Sequence, residues 1–273
     1  MKVFSFYLDF FKFLEKIPSH QEKWKIYFDS YYQPHKNFLD TYFSHFPLID
    51  FWTLKNRVEA IKAADYSLLK NLIFVCPPEK IITEAHTRCQ RIVPPRKEPE
   101  VYLFIGFFSP DAFVMDFRRR PVICFGLERF RDFRLLRILF AHEYAHFLLN
   151  LKRGKVPEEK GWKWRIISEG MASYFSFLAF PSPRFTDHFL FRRDVFNWCA
   201  ANESYLREVY CCGEFTGAEL MDFYEMGNPE LNLPPRAAKY LGFQAIKNYL
   251  AQNSRRDISD LFSDRAKVLS LEF

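Results

Sequence analysis

Phe140-Ala141-His142-Glu143-Tyr144-Ala145-His146-Phe147 lies inside an apolar stretch, Phe130 to Leu151, whose spacing is helical. Residues four apart on a helix are separated by roughly 40° around its axis, so His142 and His146 present their imidazoles on one face, one turn apart. That is the geometry of an HExxH metal site. Zinc takes neutral imidazole nitrogen at about 2.0–2.1 Å, and two ligands from one rigid turn leave room for a third protein ligand and a water. Glu143, beside the first histidine, can reach that water as general base without becoming a ligand itself. Three polar groups on an apolar helix have little other reason to be there, because uncompensated polar groups are costly against a core.

The site needs a third ligand. An extended HExxHxxGxxH form would place Gly at 149 and His at 152, where the chain has Leu149 and Lys152. A carboxylate on a following helix is then the candidate. Ser168-Glu169-Gly170-Met171-Ala172-Ser173-Tyr174 sits in a segment of helical spacing from Trp164 to Leu178. A turn at Gly154 and a polar loop from Lys155 to Gly161 would bring Glu169 back beside the histidines, and the small residues 170, 172 and 173 would let the two helices approach closely. The expectation is one zinc ion per chain, held by His142, His146 and Glu169.

These residues resemble the gluzincin group of zinc metallopeptidases, whose third ligand is a Glu on the helix after the HExxH helix. More narrowly, the chain is similar to a bacterial domain-of-unknown-function family of predicted zinc-dependent proteases. The narrower likeness adds an extended segment Val101 to Gly106, the Ser-Glu-Gly-x-Ala run from Ser168, and Pro235-Arg236-Ala237-Ala238-Lys239-Tyr240-Leu241-Gly242-Phe243 opening a helix. It spans about residues 100 to 270. The resemblance implies an α+β fold with a zincin-like catalytic domain: a small antiparallel or mixed sheet, the HExxH helix and the Glu helix.

It also implies peptide-bond hydrolysis. Zinc would lower the pKa of its water to about 7, with Glu143 taking the proton and returning it to the leaving amine. Gluzincins commonly add a downstream Tyr or His that donates to the oxyanion. Tyr240 is the first choice for that role, with Tyr174, Tyr210 and His188 as alternatives. An edge strand near the HExxH helix holds substrate backbone in zincins, which the resemblance assigns to residues 121 to 126. One position departs from the pattern: Ser173 stands where some gluzincins carry an Asp that orients a His ligand, which leaves that support unassigned.

HExxH fixes the water-activating machinery but not the carbonyl presented to it. A metallopeptidase acting on a peptide or protein substrate is therefore accompanied by two alternatives. One is a zinc hydrolase of a non-peptide amide or ester; the other is a catalytically silent, zinc-stabilised interaction or regulatory module.

The rest of the chain sets bounds. It has 273 residues, 49% of them hydrophobic, which is ample for a sizeable core, and its 33 phenylalanines against 9 glycines point to a helix-rich, aromatic-packed interior. The net charge of +6 is spread out. Its densest group, Arg118 to Arg120 with Arg129, Arg131, Arg134 and Arg137, reads as a turn and the solvated face of the HExxH helix rather than a nucleic-acid surface, since no nucleic-acid motif accompanies it. Six cysteines without CxxC spacing fit free thiols in a reducing compartment. No signal peptide and no run of 18 apolar residues is found, so a cytoplasmic protein without a membrane span is expected.

Along the chain, residues 3 to 17 have helical spacing, Ser19 to Glu22 reads as a capping box before a helix to about Tyr32, and further helices fall at Lys36–Phe46, Thr53–Phe74 and Glu79–Ile92. Residues 1–97 thus read as a helical N-terminal region. Three prolines between Val93 and Pro99 mark a boundary, and residues 98–273 form the catalytic domain. That domain opens with a strand meander over 100–107, 111–117 and 121–126, broken at Ser109-Pro110 and at Arg118 to Arg120. After a break at Pro181 and Pro183, helices are expected over 185–212, 218–226, from Pro234-Pro235 to about Asn253, and briefly over 257–262.

Overall fold

The computed structural model describes residues 1–17, 22–45, 50–108, 110–151, 160–182, 184–212, 214–253 and 257–271, and the fold is α+β. The expected capping residues Ser19 to Gln21, the turn and loop over 152–159, Ser109 and Pro183 lie outside the described residues. The chain forms two compact units: Met1–Glu84 with Arg96–Leu136, and Ala85–Pro95 with Arg137–Phe273. They do not follow a single cut at 97/98, because each unit takes two separate pieces of chain.

The first unit holds a four-stranded mixed sheet in the order β1-β2-β4-β3. Strand β1 (Lys2–Ser5) runs parallel to β2 (Glu100–Phe104), β2 runs parallel to β4 (Arg120–Gly126), and β3 (Ala112–Phe117) is antiparallel to β4. Two expectations fall here. The first hundred residues are not all helical: Lys2–Ser5 is a strand, and the helix begins only at Tyr7. Short apolar runs satisfy both periods, and the open ladder of β2 decides for the strand, with Phe4 stacked on Tyr102 at 4.7 Å. Nor are the three later strands a meander, since only β3 and β4 form a hairpin.

A third correction concerns residues 121 to 126. They lie in β4, the continuously buried strand between β2 and β3, whose ladder is occupied on both sides. An interior strand has no free edge to offer a substrate backbone, so the assignment by resemblance fails. The sheet edges are β1 and β3.

Phe117 pairs with Arg120, which leaves Arg118 and Arg119 as the entire hairpin turn, both with left-handed φ of 51° and 62°. Two-residue turns of this kind suit Asn-Gly, because the left-handed region penalises a Cβ. Arg118 recovers part of the cost by placing its guanidinium 5.0 Å from the Phe117 ring centre. Arg118→Asn with Arg119→Gly is expected to stabilise the chain by about 1 kcal/mol, read as a higher urea midpoint at unchanged slope.

The helices of this unit are shorter than the periodicity suggests. The single helix expected over Thr53–Phe74 is two, Phe51–Glu59 and Ser67–Val75, separated by extended Lys62 and a 3-10 turn that Asp65 caps. Aromatic side chains fill the interior. Tyr31 stitches this layer to the end of β2: its hydroxyl accepts from Ile105 N–H at 2.9 Å and donates to Ile105 C=O at 3.0 Å.

The second unit is helical. The HExxH helix, Leu136–Leu151, is buried almost all round, with only Arg137 and Asn150 fully exposed. It therefore has no broad solvated face, and Arg129, Arg131 and Arg134 lie in the chain before it. Tyr144 anchors it, donating to Val93 C=O at 2.9 Å and stacking on Phe175 at 5.8 Å between ring centres. Phe175 belongs to the Glu169 helix, Gly161–Ala179.

That helix makes its closest approach to the helix Lys239–Gln252 through two glycines, and two short helices, Ile258–Ser263 and Arg265–Leu269, follow in the chain. A Cβ on Gly170 would lie 2.1 Å from the Gly242 carbonyl carbon, and one on Gly242 would lie 2.2 Å from Ile166 O. The small residue after Glu169 therefore serves this crossing. The helix Lys239–Gln252 also starts later than the Pro234-Pro235 signal suggests. Arg236 takes a left-handed φ of 62° and donates its N–H to Tyr224 C=O, so residues before Lys239 form a turn.

Candidate metal centre

One turn of the HExxH helix sets His142 and His146 with their Nε2 atoms 3.2 Å apart. Glu169 comes to the same point from its own helix, with Oε2 at 3.4 Å from His142 Nε2 and Oε1 at 3.4 Å from His146 Nε2. These three residues form a group that could hold a metal ion. The two Glu169 distances end on different carboxylate oxygens, so the carboxylate spans the histidine pair; with one ligand atom taken from each residue, the three atoms lie within 4.8 Å of one another.

The electrostatics suit ligation. Burial, helped by the nearby Lys239 charge, pulls the His142 pKa down to about 3, so its imidazole stays neutral and keeps a nitrogen lone pair. His146 is also pulled down by burial, but the Glu169 carboxylate more than offsets this and its pKa is raised. Burial would raise Glu169, yet Lys239 and His146 hold it well below the usual carboxylate range. Glu143 differs from its neighbours. It is 7% exposed and burial pushes its pKa up to about 7, against a smaller opposing pull from His146.

Two residues that sequence reasoning missed complete the cluster. Lys239, 3% exposed, places Nζ 3.1 Å from Glu169 Oε2. Arg165, one turn before Glu169, places Nη1 3.2 Å from Oε1 and also pairs with Glu225 at 3.1 Å. The i,i+4 spacing of Arg165 and Glu169 was readable. Lys239 left a fainter signal, a lone cation between Ala237-Ala238 and Tyr240-Leu241. Tyr224 is also close enough to feel the charges of Glu169 and Arg165, and its buried hydroxyl has no hydrogen-bond partner among the described residues. Ser173 does not support His142: its Oγ and His142 Nδ1 are both buried without a hydrogen-bond partner among the described residues.

The tyrosines singled out for the oxyanion are engaged elsewhere. Tyr240 accepts a hydrogen bond from Gln244 at 2.7 Å and packs on Phe189 and Phe196, so its neighbour Lys239 is the residue this helix brings to Glu169. Tyr174 packs against Phe177 and Phe243, and Tyr210 against Trp162 in the apolar cluster.

His188 is fully buried with Nδ1 3.0 Å from Ser176 Oγ. Ser176 gives its own proton to Ser173 C=O at 2.8 Å, so His188 carries its proton on Nδ1 and donates it to Ser176. Its Nε2 has no hydrogen-bond partner among the described residues, and burial pulls the pKa from 6.5 down to about 4. The unfolded chain binds the extra proton between those two values, so stability falls as the pH drops from about 6.5 to about 4. The effect is about 3 kcal/mol, and His188→Phe should flatten this acid limb in urea titrations across the range.

The chain matches no family model, no curated protein and no solved structure. No helix among the described residues is long and apolar enough to cross a membrane.

Proposed function

We propose that this protein is a zinc-dependent metallopeptidase of the gluzincin kind, with His142, His146 and Glu169 as ligands and Glu143 as general base. The observation that carries the reading is the convergence of His142, His146 and Glu169 from two helices, with one ligand atom from each within 4.8 Å of the others, and a further carboxyl, Glu143, next to the first histidine in sequence. Zinc held there would supply Lewis acidity and lower the pKa of a bound water to about 7. The chain does the rest. A carboxyl lifted to about 7 is well matched to accept a proton near neutral pH and return it to a leaving amine. The surrounding burial keeps competing water away from that exchange. Tyr224, whose buried hydroxyl has no hydrogen-bond partner among the described residues, joins Tyr240 as a proposed donor to a developing oxyanion.

The test is the zinc content of purified protein beside His146→Ala and Glu169→Ala, with wild type and Glu143→Gln screened on a mixed peptide library. One zinc per chain that both ligand variants lose, with cleavage that depends on Glu143, supports the reading. Stoichiometric zinc without cleavage would move the assignment to a non-peptide hydrolase or a silent zinc module. A wild type without zinc would end it.

A further inference from the structure

Glu169 stands between two histidines and two cations in a fixed order. Its Oε1 faces His146 and Arg165 Nη1, and its Oε2 faces His142 and Lys239 Nζ. The two cations are not equivalent. Arg165 has a side chain 41% exposed and a second carboxylate, Glu225, to hold it when it lets go of Glu169. Lys239 has a side chain only 4% exposed, and it projects from a helix whose backbone abuts the Glu169 helix at Gly170 and Gly242. A buried carboxylate and a buried ammonium are each costly alone and tolerable only together. Glu169 therefore has a permanent partner that is part of the protein.

We propose that Lys239 is the resident counter-cation of Glu169: it keeps the His142–His146–Glu169 site assembled whether or not metal is bound, and its charge keeps the bound metal exchangeable. This rests on the zinc reading above. Lys239 is argued to act through Glu169 and is a positioning residue. Its two effects have opposite signs. Without metal it neutralises a carboxylate that would otherwise be buried and unpaired. With metal it adds a third positive charge beside a dication, in a place too buried for salt to screen. A zinc that holds a fold together provides the charge balance for its own ligands, so chelators unfold such domains. Here the carboxylate ligand is already balanced, so removal of metal leaves the site standing.

The experiment compares the full chain with Lys239→Met, which keeps the length and loses the charge, and Lys239→Arg, which keeps the charge. Zinc affinity is read by competition with a chromogenic chelator, and melting temperature is read with zinc and after chelation. Lys239→Met is expected to melt lower than wild type without metal, to bind zinc about tenfold tighter or more, and to show a larger zinc-dependent rise in melting temperature. Lys239→Arg is expected to track wild type. Zinc affinity that is unchanged or weaker in Lys239→Met, or a zinc-dependent rise no larger than that of wild type, overturns the proposal. A Lys239→Met that folds only when zinc is added supports it. If that variant folds in neither condition, Lys239→Gln is read by the same two measurements and decides. A wild type that takes up no zinc defeats the metallopeptidase reading itself, whereas a zinc-binding wild type with an unaltered Lys239→Met defeats only the role of Lys239.

Discussion

Gly170→Ala is expected to cost about 3 kcal/mol of stability and, under the proposed zinc reading, to take zinc binding with it. On an exposed helix the same change would stabilise by about 1 kcal/mol, because alanine is the better helix former. Here the new methyl would lie 2.1 Å from the Gly242 carbonyl carbon and 2.4 Å from Phe243 N, and neither atom is the tip of a flexible side chain. Two helix backbones would have to separate. Glu169 precedes Gly170, and its partner Lys239 lies on the other helix, so separation pulls the ligand and its counter-cation apart together. Gly242→Ala should behave alike, with its methyl 2.2 Å from Ile166 O. Urea unfolding followed by zinc titration reads both effects. Wild-type stability in either variant would show that the helices do not meet at these glycines.

Under the proposed metallopeptidase function, Glu143→Gln is expected to lower kcat for peptide hydrolysis by about 10²- to 10⁴-fold while KM and zinc content change little. The amide has the size of the carboxyl and cannot take a proton. Glu143 is not among the three clustered donors, so the site keeps its full donor set. Because burial pushes this carboxyl up to about 7, an uncharged replacement also removes a desolvation cost, and the variant should melt no lower than wild type. Retained hydrolysis would remove Glu143 from the mechanism. Lost zinc would make it a ligand.

What could be read from the chain and what could not divide along the range of the interaction. His142, Glu143 and His146 lie within one turn, so spacing alone put the histidines on one face, and the structure sets them 3.2 Å apart. Glu169 needed only the next helix. Lys239 was out of reach, because its place beside Glu169 depends on a crossing fixed by two glycines far apart in sequence. Tyr240 drew attention by resemblance, but neighbours on a helix point about 100° apart, and Lys239 took the face toward Glu169. The error at β1 has the same origin. Val3, Phe4 and Phe6 satisfy either period, and what chose the strand is Val101, a partner that no local window contains. Residues 121 to 126 were rightly extended, but a strand's rank within a sheet is not written in its own residues.

The pairing of β1 with β2 also bears on the order in which the chain can be built at the ribosome. The first strand to emerge, Lys2–Ser5, has no ladder until Glu100–Phe104 has been made, and β2 in turn waits for β4 before its other edge is covered. Until then Val3 and Phe4 belong to a nascent segment with an unsatisfied strand edge, the kind of species on which chaperones act. The sheet closes only once Gly126 is out, just before the HExxH helix begins at Leu136, so synthesis reaches the His142–His146 turn when all four strands described in the first unit have been made.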